Sequence, residues 1–109
     1  MLRETFHNSY KGWRVKPPED AVVINVTRSA GHILSPSIEL LMAYKDNRIT
    51  WDQYVIRYKK EMNNESCKNE MRKIKTMAIE KDVYLVCVCW NKEKRCHRYL
   101  LMEMINNME

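Results

Sequence analysis

The chain has 109 residues, 45% of them hydrophobic and 30% charged, which are the proportions of one ordinary globular domain and exclude a disordered segment. Its longest apolar run, Val83 to Trp90, falls well short of the roughly 18 residues needed to cross a bilayer. Nineteen Lys and Arg against fourteen Asp and Glu give a net charge of +5, a mild bias toward anionic partners.

Residues 1–20 are the least periodic stretch. Phe6, Tyr10, Trp13 and Val15 are apolar, but Gly12 and Pro17-Pro18 interrupt any pattern, so the segment reads as an N-terminal extension or an edge strand. Ala21 to Val26 is a short β-branched run that suits a buried parallel strand, ending at Thr27-Arg28-Ser29 with Gly31 in a turn. Ser35-Pro36 predicts a helix start, with Glu39 in the first turn and Ile38, Leu41 and Met42 as its apolar stripe. Thr50 and Gln53 have the spacing of a capping box, ahead of a stripe of Trp51, Tyr54, Val55, Tyr58 and Met62. A third helix carries Cys67, Met71, Ile74 and Ala78 on one face. Val83 to Cys89 reads as a second buried strand, and a last helix opens near Arg95 with Leu100, Leu101, Met104, Ile105 and Met108 inward. The pattern predicts a single α/β domain over residues 1–109, a small mostly parallel sheet flanked by helices in three layers. Two strands alone are marginal, so residues 1–20 are expected to supply at least one more.

In open α/β sheets, ligands sit at the carboxyl ends of the strands. The first strand ends at Arg28 and Ser29, and the second leads through Cys89 to Cys96, His97 and Arg98. If the strands are neighbours, both ends converge on one crevice. Cys96-His97-Arg98 opens a helix, where unsatisfied N–H groups and the dipole favour an anion and depress the pKa of a thiol. Cys96 is therefore a candidate nucleophile with His97 as its proton partner, and Arg28, Ser29 and Arg98 are candidate anion ligands. Trp90, His32, Cys87 and Cys89 are candidates for the rim. The alternative is structural: Cys96 packs under the helix start and His97 caps a backbone group.

Val26-Thr27-Arg28, Ser35-Pro36-Ser37 with Leu40-Leu41, Ile49-Thr50-Trp51 with Tyr54 and Tyr58, and Leu85-Val86-Cys87 followed by Cys96-His97-Arg98 together resemble the family called domain of unknown function 488. The resemblance runs from about residue 21 to 105. It implies an intracellular, enzyme-like α/β domain and supplies no reaction to carry over. One departure is Cys89, which stands where many members have an acidic residue two places after the strand cysteine, so a role for that carboxylate does not transfer.

The expected function is thus an enzyme-like domain with a crevice for a small phosphate- or nucleotide-like anion, with a reactive cysteine as its candidate chemistry. The first rival is a nucleic-acid-binding module using Lys92, Lys94, Arg95 and Arg98. The second is a zinc-stabilised interaction domain with Cys87, Cys89, Cys96 and His97 as ligands, although C-x-C followed by adjacent Cys-His differs from paired zinc knuckles. Cys89 to Arg95 has the C-x5-R spacing of phosphatase loops but lacks the small residues that such a loop needs. No cofactor is expected. The absence of an apolar leader in Met1 to His7 points to the cytoplasm, to reduced thiols and to no membrane role. Self-association is open, with no surface singled out.

Overall fold

The computed structural model describes residues 1–8, 12–88 and 96–108, apart from the side chains of Asn8 and Ser29. Its strands are β1 (Leu2–Asn8), β2 (Gly12–Trp13), β3 (Val22–Asn25) and β4 (Val83–Val88), joined in one sheet in the order β2-β1-β4-β3. β4 pairs in parallel with both β1 and β3, and β2 runs antiparallel to β1. The helices are α1 (Ile38–Lys45), α2 (Trp51–Glu61), α3 (Glu65–Glu80) and α4 (His97–Asn106). This is the α/β arrangement that the sequence pattern predicts, a mostly parallel sheet flanked by helices. Among the described residues no helix is long and apolar enough to cross a membrane.

Residues 1–20 contribute more than an extension or an edge. β1 lies inside the sheet, in register with β4 from Leu2 opposite Val83 to His7 opposite Val88. Its sequence hides this, because polar residues fall on both faces of the strand. The pleat sends Leu2, Glu4 and Phe6 to the same side as Val83, Leu85 and Cys87, and as Val22 and Ile24 of β3. That side carries the core: Leu2, Val83 and Leu85 pack with Leu40, Tyr54, Tyr58, Met71, Ile74, Leu101 and Ile105 from all four helices. On the other side Thr5 is fully buried and accepts a hydrogen bond from the Val15 backbone N–H at 3.0 Å, so the chain after β2 crosses there.

The capping box at the start of α2 forms in both directions, with Thr50 Oγ1 accepting from the Gln53 N–H and Gln53 Oε1 from the Thr50 N–H. Tyr54, Tyr58 and Met62 of the expected stripe are buried. In α3, Cys67, Met71 and Ile74 are buried, and Ala78 is half-buried against the same core.

The start of α1 differs from the expectation. Ser37, not Ser35, is the N-cap and accepts from the Leu40 N–H. The Glu61 carboxylate binds both the N–H and the hydroxyl of Ser37, which fixes the helix start two residues later. Ser35 instead donates its hydroxyl to the carbonyls of Val26 and Thr27 at 3.0 Å each, tying the loop to the end of β3. The inward face is Leu40 and Ala43, while Ile38 and Met42 are exposed. Because α1 is apolar at most positions, spacing alone does not select a face, and the Ser37–Glu61 tie sets the rotation. α4 begins at His97, with Cys96 as its N-cap. Leu100, Leu101 and Ile105 are buried, and Met104 and Met108 pack against the core half-buried.

Candidate functional site

β3 and β4 are parallel neighbours, so their carboxyl ends lie side by side, as a strand-end crevice requires. The join extends past the strands: the Val26 N–H donates to the Val86 carbonyl at 2.8 Å, and the Val88 N–H to Thr27 Oγ1 at 3.0 Å. Cys87 is the last residue of β4 on the helix-covered face and is 1% exposed. Cys96 has extended backbone before α4 and is half-buried. The two sulfur atoms lie 3.3 Å apart.

Arg98, in the first turn of α4, is 1% exposed. Its Nη1 donates to Cys87 Sγ at 2.7 Å and lies 3.6 Å from Cys96 Sγ, and its Nε donates to Glu4 Oε2 at 2.6 Å. The guanidinium also faces the rings of Phe6 at 5.2 Å and Tyr99 at 4.5 Å. Burial works against its charge, but Cys96, Cys87 and the Glu4 carboxylate outweigh burial and hold Arg98 above the ordinary arginine pKa. The residue expected to meet an outside anion thus has its acceptors within the protein.

His97 Nε2 lies 2.7 Å from the Val26 carbonyl. A carbonyl only accepts, so Nε2 carries a proton, and in the neutral ring Nδ1 is the acceptor. Nδ1 lies 3.7 Å from Cys96 Sγ, on the path a thiol proton would take. The imidazole packs on Tyr58 at 5.8 Å between ring centres, at the end of a series that runs from Tyr44 through Trp51 and Tyr54. Tyr58 donates its hydroxyl to the Leu34 carbonyl at 2.7 Å. Burial pushes the phenols of Tyr54 and Tyr58 up from the ordinary tyrosine value.

Arg28 opens a short 3-10 turn that ends at Gly31, whose φ of 68° suits glycine. With His32, Ser35, Ser37 and Glu39 it lines an open hollow of about 350 Å³. His32 Nδ1 accepts from the Leu34 N–H there. The described residues lining that hollow do not include Cys96, His97 or Arg98, so the structure separates the expected site into two neighbouring parts. The Val26 carbonyl joins them, accepting from Ser35 Oγ on one part and facing His97 on the other.

Ser29 is described in its backbone only. Cys89, Trp90 and residues 91–95 lie outside the described residues, and with them the C-x5-R segment and three of the four cations of the proposed nucleic-acid surface. The fourth, Arg98, is turned inward. Among the described residues no group of three or more His, Cys, Asp or Glu is arranged to hold a metal. Sequence reasoning missed Glu4, which completes the charge balance of Arg98 from a strand with no clear periodicity. The available signal was one carboxylate between apolar residues at alternate positions, Leu2-x-Glu4-x-Phe6.

Comparison with curated proteins and with solved structures gives no match. The resemblance first seen in the Ser-Pro-Ser, Trp/Tyr and Cys-His-Arg segments holds at the level of a family model: the model described as the Active DUF488-N3 subclade, DUF488-N3a, matches residues 24–109, and the chain belongs to that family.

Proposed function

We propose that this chain is a thiol enzyme in which Cys96 is the nucleophile, acting on a small anionic substrate delivered over the carboxyl ends of β3 and β4. The observation that carries the reading is the buried guanidinium of Arg98, 2.7 Å from Cys87 Sγ and 3.6 Å from Cys96 Sγ. A cation fixed beside two sulfur atoms favours thiolate over thiol, and thiolate is the reactive form. His97 fits the part of base: its Nε2 proton is committed to Val26, which leaves Nδ1 to take the Cys96 proton. The position of Cys96 at the N-terminal end of α4, where the helix dipole is positive, also favours the charge that forms.

In this reading Arg98 is a positioning residue. Its charge serves the sulfur atoms, and Glu4 stops it from turning to the ligand. Attraction of the substrate anion falls to Arg28, with His32 and Ser35 beside it in the open hollow. A reduced thiol of this kind fits the cytoplasm. A guanidinium already in contact with both sulfur atoms also leaves less reason to look for zinc there. The word "active" in the description of the matching family agrees with an enzymatic reading.

Alkylation of the reduced chain, mapped by peptide mass, tests this. Iodoacetamide at neutral pH should label Cys96 at least about tenfold faster than Cys67, which is buried in α3. Arg98→Lys should remove most of that advantage, because an ammonium cannot reach Glu4 and both sulfur atoms with one planar fork. Equal labelling of Cys96 and Cys67 in the unaltered chain would remove the nucleophile.

A further inference from the structure

We propose that Cys87 and Cys96 form a redox pair that closes reversibly into an intramolecular disulfide, with a peroxide as the oxidant and Cys96 as the thiol that meets it. The inference takes Cys96 as the reactive thiol from the reading above and adds a means of switching it off. Four observations support it.

The sulfur atoms are 3.3 Å apart, and a disulfide needs about 2.05 Å, so the gap to close is little more than an ångström. Cys96 is an N-cap with φ −137° and ψ 142°; its carbonyl accepts from the Tyr99 N–H at 3.1 Å but its side chain caps no helical N–H, so the side chain can turn without breaking α4. Exposure divides the roles, because half-buried Cys96 is open to a small oxidant and Cys87, at 1%, is not. Arg98 favours the thiolate form of both residues, and when their charges are consumed its Nε still holds Glu4 at 2.6 Å. The cation is therefore compensated in both redox states, which an arginine paired with thiolates alone would not be.

The chemistry balances with hydrogen peroxide. The Cys96 thiolate attacks one peroxide oxygen, the O–O bond breaks, and hydroxide leaves a sulfenic acid on Cys96. The Cys87 sulfur then attacks the Cys96 sulfur. The S–O bond breaks as the S–S bond forms, and the departing hydroxide takes the Cys87 proton as water. The first hydroxide recovers the proton that Cys96 gave up. Two thiols have lost two electrons and two protons, and the peroxide has become two waters. A dithiol reductant reverses the change by exchange. Cys67 takes no part: its sulfur accepts from Asn64 Nδ2 at 3.2 Å and lies near the Ile33 carbonyl, in α3.

The test uses the whole chain, reduced with dithiothreitol, desalted, and treated with one equivalent of hydrogen peroxide at neutral pH. Intact mass should fall by two hydrogens, and digestion should yield one cross-linked peptide joining Cys87 to Cys96. Iodoacetamide labelling of Cys96 should drop by about tenfold or more and return with dithiothreitol. Cys89→Ser should leave the link in place, and Cys87→Ser should leave a sulfenic acid on Cys96 that dimedone traps. A link through Cys67 or Cys89, a link between two chains, or a sulfinic acid on Cys96 beside reduced Cys87 would overturn the proposal. Mapping of the unaltered chain decides the matter even if a cysteine variant fails to fold. The two readings also fail separately. Fast labelling of reduced Cys96 without the Cys87–Cys96 link removes the redox pair and leaves the nucleophile. The link without fast labelling does the reverse.

Discussion

Glu4→Gln is the substitution that best probes how the site is held. It keeps the shape of the side chain and an oxygen able to accept from Arg98 Nε, but removes the charge opposite a guanidinium that is 1% exposed. Breaking a buried pair by removing one partner costs about 3–5 kcal/mol when the other charge is left alone, and here the Cys87 and Cys96 sulfur atoms still face the guanidinium. The retained acceptor puts this case near the lower figure. Glu4 also pairs with Arg14, but that side chain is about a third exposed, and such a contact is worth about 0–1 kcal/mol. Arg14→Gln should therefore cost far less than Glu4→Gln. At about 2.1 cal/mol/K of unfolding entropy per residue, a loss of about 3 kcal/mol lowers Tm by about 13 °C in a chain of this length. Urea unfolding should show the loss as a lower midpoint with an unchanged slope. Adding Arg98→Met, which removes the guanidinium charge and keeps an apolar stem between Phe6 and Tyr99, should restore stability relative to Glu4→Gln alone. A loss below about 1 kcal/mol for Glu4→Gln, or a double variant weaker than the single one, would refute the reasoning.

Two further outcomes follow from the tyrosines of α2. Tyr58→Phe leaves the Leu34 carbonyl without its donor and should cost about 1–3 kcal/mol in the same urea assay, whereas a cost near zero would mean that water replaces the hydroxyl. Both Tyr54 and Tyr58 are raised in the folded chain above the ordinary value of 10.0, so folding holds their protons more tightly than unfolding does. Their stabilisation is complete below pH 10 and is lost as pH climbs beyond it, at about 1.4 kcal/mol per pH unit for each phenol. Urea midpoints that stay level from pH 9.5 to 11.5 would contradict the burial of these groups.

How far the sequence was legible depended on whether local chemistry decided the outcome. The capping box of Thr50 and Gln53 and the stripe of Tyr54, Tyr58 and Met62 could be read directly, because each rests on spacing within one helix. The strand at Val22–Asn25 followed from β-branched composition, although it lies at the sheet edge with Val23 exposed and is not buried as expected. Its pairing with β4 stood in the sequence only as a condition for the crevice. β1 could not be read as an inner strand, since its burial comes from pairing with residues some eighty positions away and not from its own alternation. For the same reason Glu4 was invisible as the partner of Arg98. The rotation of α1 was ambiguous until Glu61, from another helix, selected Ser37 over Ser35. Neighbouring strand ends did bring Cys96, His97 and Arg98 beside Cys87, but Arg98 had already found its anions indoors, and Arg28 opens onto a separate hollow.

The family match begins at residue 24, inside β3, and so excludes the strand that carries Glu4. A polypeptide trimmed to the matched segment would strip β4 of one of its two neighbours and bare a row of amide and carbonyl groups along Val83–Val88. Such an unprotected flank invites clumping with other chains. The same cut would take away the carboxylate that holds the Arg98 guanidinium. Recombinant work on this domain should therefore keep the first eight residues, even though the shared signature of the family does not ask for them.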